Sequence, residues 1–374
     1  MSSRVIEINA PDLKFMMIAL RLAKRGLGQA WPNPSVGCVL VHSQNVVGRG
    51  WTQSGGRPHA ESQALEQLSG KLSPLTAYVT LEPCAHHGDT PPCADALIDS
   101  GVTRCVVAEI DPDSRVSGRG IDRMKSAGIS VDVGLLREEA REINKGFFRR
   151  INKGIPMTTI KLASSLDGCI ATRSGDSKWI TGAVARARGH LMRAEHDGVL
   201  IGAGTAIQDN PRLTCRLPGM LDRSPVRIVL DTHLSLPLNS HLVSSATEWP
   251  TWIITGSESD RERASQLESF GVIILRVGVA KDGKLLVNEI MSALAGKGIT
   301  RLLVEGGREV ITTLLNANYV DRINWFRAPL LIGEDGVGVV GAIGAHELKM
   351  AQRFRRVTLE QLGEDTLECF VRGR

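Results

Sequence analysis

A chain of 374 residues is too long for one typical core, so two domains are expected. Its 42% hydrophobic and 23% charged residues are ordinary for a soluble globular protein, and a net charge of +5 suits either phosphorylated substrates or plain solubility. Aromatic residues at 4%, with no dense Lys/Arg block, argue against nucleic-acid binding, and no apolar run approaches the length of a membrane span. The segment from Met1 to Pro11 lacks an apolar signal-peptide core. The cysteines at 38, 84, 93, 105, 169, 215 and 369 are scattered without disulfide-type spacing, so a reducing cytoplasm is expected.

In chain order, Asp12 reads as the N-cap of a helix carrying Leu13, Met16, Met17, Leu20, Ala23 and Leu27 on one face. Trp31-Pro-Asn-Pro34 breaks it. Val36 to Val41 and Val46 to Gly50 read as strands around the turn Ser43-Gln44-Asn45. Pro58 precedes a helix with Ala60, Ala64, Leu65 and Leu68 inward. Strands are expected at Ala77 to Leu81, Val102 to Ala108 and Ile129 to Val133, with helices at Asp95 to Ser100 and Ile121 to Ala127. This alternation predicts a layered α/β domain over residues 1–150. Arg149, Arg150 and Lys153, before Gly154-Ile155-Pro156, read as a linker. Residues 151–374 then form a second α/β series. Its strands are expected at Met157 to Ala163, Gly198 to Ile201, Val226 to Asp231, Trp252 to Thr255, Val272 to Arg276 and Arg301 to Val304. Its helices are expected at Ala183 to Ala194, Arg261 to Phe270, Leu285 to Ala295 and Glu309 to Asn316.

The densest chemistry lies in the first half. His59, Cys84 and Cys93 are three ligand types that suit one zinc ion and leave a fourth position for water. Glu61, two residues from the histidine, can shuttle protons without binding the metal. The order His-x-Glu then Pro-Cys is that of the zinc deaminases of nucleobases, although eight residues separate the cysteines here instead of two. Helix N-termini near His59 and Cys93 would favour the thiolate, and zinc would bring its water's pKa toward neutrality. The competing reading is a closed structural zinc site, with His86 or His87 as fourth ligand.

Asn33-Pro34-x-Val36-Gly37, His59-Ala60-Glu61 and Thr80-Leu-Glu-Pro-Cys84-x-His-His-Gly88-x-Thr-Pro-Pro-Cys93 closely resemble the deaminase half of the bifunctional riboflavin biosynthesis deaminase/reductase family. Asp111-Pro112 and Val116-x-Gly118-x-Gly120 resemble it too, and the eight-residue cysteine spacing is that family's own. The resemblance implies a cytidine-deaminase-like three-layer αβα domain in which His59, Cys84 and Cys93 hold zinc, Glu61 is the proton shuttle and Asn33 holds the pyrimidine edge. Two positions depart from the pattern: Thr52 stands where the family often has His, and Asp89 where it has a basic or amide residue. An acid beside a phosphate repels it, which raises the alternative of a working reductase beside an impaired deaminase. Arg57 could compensate.

In the second half, Lys161-Leu-Ala163-Ser-Ser-Leu-Asp167-Gly168 joins a strand to a turn, and Ser177-Lys-Trp179-Ile-Thr181-Gly182 follows. Gly202-x-Gly204-Thr205 and Asp209-Asn-Pro211-Arg-Leu213-Thr come after an apolar strand, and Val304-Glu305-Gly306-Gly307 ends a strand before a helix. Glycine there lets backbone N–H groups approach phosphates. No dinucleotide fingerprint stands at a strand–helix junction, so a cofactor site is of another type or absent. These motifs resemble the reductase half of the same family, which implies a dihydrofolate-reductase-like α/β domain using NADPH. By that likeness Ala163, Trp179, Thr205, Asp209, Thr232 and the stretch from Gly307 contact NADPH, and Ser177, Arg193, Leu213, Arg216 and Glu305 contact substrate. Guanidinium groups suit a sugar phosphate.

The resemblance spans roughly Leu13 to Arg327. It implies a cytoplasmic homo-oligomer, dimer or tetramer, acting on a phosphorylated pyrimidine, 2,5-diamino-6-ribosylamino-4(3H)-pyrimidinone 5′-phosphate. Deamination would come first, and reduction of the ribosyl to a ribityl group second. The rivals from other classes are a zinc deaminase of cytidine or tRNA adenosine with an unrelated second domain, and a zinc-dependent nucleic-acid-binding module. No residue in the second half stands out as an acid or base.

Overall fold

The computed structural model describes residues 10–86 and 91–373. The chain divides into two compact units, Met1–Gly154 and Ile155–Arg374. In the first, the order is α1 (Ala10–Ala23), β1 (Gly37–His42), β2 (Asn45–Trp51), α2 (Ala60–Leu65), β3 (Leu75–Val79), α3 (Cys93–Asp99), β4 (Val102–Val107), α4 (Arg119–Ser126), β5 (Ser130–Val133), α5 (Arg137–Ile143) and α6 (Lys145–Lys153). Its strands form one sheet in the order β2-β1-β3-β4-β5. β1 runs antiparallel to β2 and β3, and β3, β4 and β5 run parallel.

Strand alternation puts successive side chains on opposite faces of this sheet. Cys38, Leu40, Ala77, Val79, Cys105 and Val107 pack with Ala60, Ala64, Leu97 and Met124 from α2, α3 and α4. Val39, Val41, Tyr78 and Val106 pack on the other face with Phe15, Met16 and Ala19 of α1 and Ala140 of α5. Two cores on one sheet make three layers, as expected.

Two local readings are corrected. Asp12 is no N-cap: it lies within α1, 2% exposed, accepting from the Tyr78 hydroxyl at 2.6 Å and from two Arg104 guanidinium nitrogens at 2.8 Å. An acid near a helix start resembles a cap in sequence, but here β3 and β4 supply the partners a buried carboxylate needs. The expected linker around Arg149, Arg150 and Lys153 is α6. This helix buries Phe147 and ends at Gly154, whose φ of +65° closes it in the left-handed conformation. Its basic residues are the polar face of an amphipathic helix.

The second unit runs β6 (Met157–Ser164), β7 (Cys169–Ala171), α7 (Ala183–Ala194), β8 (Gly198–Gly202), α8 (Ala203–Asp209), β9 (Val226–Leu230), α9 (His241–Ser244), β10 (Thr251–Gly256), α10 (Arg261–Glu268), β11 (Ile273–Val277), α11 (Val287–Gly296), β12 (Arg301–Val304), α12 (Arg308–Asn316), β13 (Arg322–Arg327), β14 (Val337–Gly338), β15 (Phe354–Leu362) and β16 (Asp365–Arg372). Nine strands make one sheet, β11-β10-β9-β8-β12-β6-β13-β16-β15, with only the last two joints antiparallel. The near-continuous apolar strands β8 and β12 are buried throughout, as a strand covered on both faces must be. The parallel strands all end on one edge. The turns after β8, β9, β11 and β12 therefore gather there, where open α/β sheets bind ligands. Among the described residues no helix is long and apolar enough to cross a membrane.

Candidate functional site

The first unit concentrates its chemistry where α2 and α3 begin. His59 is the N-cap of α2, Glu61 lies in its first turn, Cys84 follows β3 on a loop, and Cys93 opens α3. The ligand atoms of His59, Cys84 and Cys93 all lie within 4.8 Å of one another. His59 Nδ1 stands 3.2 Å from Cys93 Sγ and 3.7 Å from Cys84 Sγ. These are separations that zinc–nitrogen and zinc–sulfur bonds of about 2.0–2.3 Å can span from one centre. Among the described residues three ligands converge, and His86 is not in the cluster. His87 and Asp89 lie outside the described residues.

The backbone N–H of Cys93, at the head of α3, donates to Cys84 Sγ at 3.2 Å. The Cys84 thiol is brought down to about 4, chiefly by the hydrogen bond from the Cys93 side chain, with His59 and that N–H adding to it. Cys93 is pushed up in return, by the same bond and by burial. The bond to Cys84 also raises His59. Glu61, 3% exposed, has its carboxyl raised to about 7 by burial, against the pull of His59.

His59, Glu61 and Cys84 line a cavity of about 260 Å³ that also takes in Asn33, Thr52, Arg57, His86, Arg115 and Arg150, with Cys93 behind them. Asn33 fits because Gly56 has no side chain: a Cβ there would lie 1.8 Å from Asn33 Nδ2. Thr52 faces the same space, yet its hydroxyl also accepts from the Val36 N–H at 2.9 Å and so pins β1 to β2.

The sequence reading gave Glu82 no role. It is buried, and its carboxylate accepts from four backbone N–H groups, those of Asp111, Gly118, Gly120 and Ile121, at 3.0–3.3 Å. Gly120 meets the Pro83 carbonyl so closely that a Cβ would lie 2.1 Å from it. The loop carrying Cys84 is thus stapled to the start of α4. The paired glycines of Val116-x-Gly118-x-Gly120 were the sequence signal for this close approach.

In the second unit a cavity of about 640 Å³ lies along the carboxyl edge of the sheet. Thr205, Thr232 and Gly307 line it, and it reaches the first residues of α8 and α12. Ala163, Trp179 and Asp209 are not part of its wall. Trp179 is 69% exposed and stacks under the Arg186 guanidinium at 4.7 Å, and Asp209 pairs with Lys178 at 3.7 Å. Beside this cavity Arg193 grips Glu305 with two nitrogens, at 2.6 and 2.8 Å, and donates to the Thr214 carbonyl at 2.9 Å. Burial alone would raise Glu305, but Arg193 outweighs it and holds the acid at about 2. Ser177 is half-buried, Leu213 belongs to the core, and Arg216 faces a neighbouring cavity with Arg212. Lys161, on β6, lies close enough to feel both Glu305 and Arg193, and burial lowers its ammonium pKa. Its place beside Ala163 at period two was the available signal.

A three-layer αβα unit holding a His–Cys–Cys cluster over a buried glutamate, followed by an α/β unit with a cofactor-sized cleft, defines a zinc deaminase joined to a reductase. The family described as the cytidine and deoxycytidylate deaminase zinc-binding region matches residues 10–109, and that described as the RibD C-terminal domain matches residues 156–367. The riboflavin biosynthesis protein RibD of Aquifex aeolicus is 42% identical over 361 residues, covering 96% of this chain and 98% of its own. That of Escherichia coli is 38% identical over 365 residues, covering 95% and 97%. Among solved structures, RibD of Acinetobacter baumannii matches with a TM-score of 0.87 at 34% identity, over 97% of this chain and 99% of that one. A Thermotoga maritima diaminohydroxyphosphoribosylaminopyrimidine deaminase/5-amino-6-(5-phosphoribosylamino)uracil reductase matches at 0.85 and 34%, with the same coverage. The chain belongs to the RibD family, and it is a bifunctional deaminase and reductase of riboflavin biosynthesis.

Proposed function

We propose that the unit ending at Gly154 deaminates 2,5-diamino-6-ribosylamino-4(3H)-pyrimidinone 5′-phosphate and that the unit from Ile155 reduces the product. The observation that carries this reading is the convergence of His59, Cys84 and Cys93 at a cavity that His59, Cys84 and Glu61 line. His59, Cys84 and Cys93 would hold one zinc ion, which when bound supplies a water acidified toward neutral pH. Asn33 orients the pyrimidine edge. Glu61 takes the water's proton, gives it to the ring nitrogen and then carries one to the leaving amine. The carbon bearing the 2-amino group thereby exchanges NH₂ for oxygen, and ammonia leaves. A carboxyl held near neutrality by burial suits both halves of that relay. Arg57 and Arg150 line the cavity and suit a phosphorylated substrate, while Arg115 is paired with Asp113.

In the second unit Thr205, Thr232 and the backbone from Gly307 would hold NADPH, with Ala163, Trp179 and Asp209 completing the site. Ser177, Arg193, Leu213, Arg216 and Glu305 would position the substrate. NADPH held there would supply the hydride for C1′, and opening of the C1′–O4′ bond would leave O4′ to be protonated. Lys161, desolvated beside the fixed Arg193–Glu305 pair, is the acid this centre offers. Positioning of the nicotinamide against C1′ does most of the remaining work. A cytoplasmic homo-oligomer is the family-based expectation for the assembled enzyme.

The test is stoichiometry. With zinc, NADPH and the diaminopyrimidine phosphate, the purified chain should release one ammonia per NADPH oxidised. Turnover of cytidine, with none of the diaminopyrimidine phosphate, would contradict the reading.

A further inference from the structure

We infer that Lys284, which lines the same cavity as His233, reads the adenosine 2′-phosphate of the reductase's cofactor and sets its preference for NADPH over NADH. The inference rests on the cofactor reading above and follows from how the sheet lays out the cavity. Lys161 on β6 and Glu305 after β12 mark the substrate end, so the nicotinamide lies over β6 and β12. The first residues of α12, after β12, offer N–H groups to the pyrophosphate, and the turn after β8 lines the cavity beside them. The cavity continues along the sheet past β9 toward β11, and the adenosine falls there. The apolar side chains of Leu285, Ile290 and Met291 line that end and suit a purine face.

The charges at this end are arranged for a phosphate. In a site built for NADH, a carboxylate at the end of the relevant strand accepts from the ribose 2′-hydroxyl. Asp231 stands in that place, directly after β9, but its carboxylate is committed elsewhere. It accepts from Ser235 Oγ at 2.9 Å and from the Leu236 N–H at 2.8 Å, and the residue is 2% exposed. The acid lines the cavity but is tied into its own turn by these two bonds, one to each carboxylate oxygen. Thr232, His233 and Ser235, on the same turn, line the cavity with it.

Lys284, exposed at the end of the turn that follows β11, lines the same cavity. That turn is fastened: Ala280 N–H donates to the Lys284 carbonyl at 2.7 Å, Leu286 N–H to the Gly278 carbonyl at 2.9 Å, and Val279 bridges to Leu285. The lysine is held at the rim on a braced backbone. Glu309 and Arg308 also line the cavity, but at the opposite, α12 end. A compact ammonium on a flexible stem is a suitable partner for a terminal phosphate.

Direct binding on the full chain tests this. Dissociation constants for NADPH, NADH and 2′,5′-ADP are measured by calorimetry for the wild type, Lys284→Gln and Arg308→Gln, with circular dichroism as the folding control. Losing a charge-assisted bond should make Lys284→Gln bind NADPH and 2′,5′-ADP about 10- to 100-fold more weakly, with NADH unchanged. Arg308→Gln should weaken NADPH and NADH by the same factor. If Lys284→Gln affects NADPH and NADH equally, or neither, the assignment is overturned while the cofactor reading stands. Failure of the wild type to bind either dinucleotide overturns both.

Discussion

The two units solve the same problem, holding a pyrimidine against a reactive group, in different ways. In the first, every decisive side chain comes from a short run at a helix start or the loop before it: His59 and Glu61 on α2, Cys84 and Cys93 about α3. In the second, the chemistry is scattered over strand ends, with Lys161 on β6, Thr205 on α8, Thr232 after β9 and Glu305 after β12. The first site is fixed by local geometry and a metal. The second is fixed by the sheet, so it is only as well ordered as the packing beneath it.

That contrast can be broken at several points. The largest effect should come from Cys93→Ser, which removes a soft ligand. Bound zinc, read by atomic absorption, should fall from about one per chain to none, and ammonia release should fall by about 100-fold or more, while reduction of the deaminated intermediate continues. Next is Glu305→Gln. It leaves the Arg193 guanidinium buried without its counter-charge and should destabilise the second unit by roughly 3–5 kcal/mol. Urea unfolding reads this, and zinc content should not move. Glu82→Gln sharpens the comparison within the first unit. It should cost about 1–3 kcal/mol through poorly satisfied backbone donors and loosen zinc retention under a chelator, because the Cys84 loop loses its staple.

The smallest effect concerns pH. His196 is buried, donates from Nδ1 to the Met192 carbonyl at 2.7 Å, and burial lowers its pKa to about 3. The unfolded chain therefore takes up a proton that the folded one refuses. The neutral ring's contribution is intact above the unfolded value of about 6.5 and is lost as pH falls from there toward 3, by roughly 1.4 kcal/mol per unit. In His196→Asn, which keeps a donor near Nδ1, the loss of stability between pH 7 and 5 should be shallower by about 1–2 kcal/mol. An unchanged slope would mean that other groups carry the acid sensitivity.

The same contrast explains what could be read from the sequence. The β1–β2 hairpin, α7 and the parallel strands other than β13, which was not expected, follow from periodicity and fall close to their expected bounds. The zinc cluster was legible because its ligands sit in two short motifs. Asp12 and α6 were misread because each depends on partners brought from afar: Tyr78 and Arg104 for the first, the core beneath Phe147 for the second. β15 and β16 were missed. Nearly every residue of β15 is exposed, so no alternation marks it, and its pairing with β16 fixes it instead. Glu82 and Lys161 carried only indirect signals, the paired glycines for the first and the period-two place beside Ala163 for the second, since a lone charge in a strand or loop reads as surface until the fold supplies its neighbours.

The central claim is that one chain runs the two reactions in order at separate centres, and Glu61→Ala tests it most directly. Ammonia release and NADPH oxidation are followed separately, first with the diaminopyrimidine phosphate and then with the deaminated intermediate. The account predicts that the variant loses both signals on the first substrate and oxidises NADPH at the wild-type rate on the second. Continued NADPH oxidation on the undeaminated substrate would contradict it, because reduction would then not depend on the site around His59, Cys84 and Cys93.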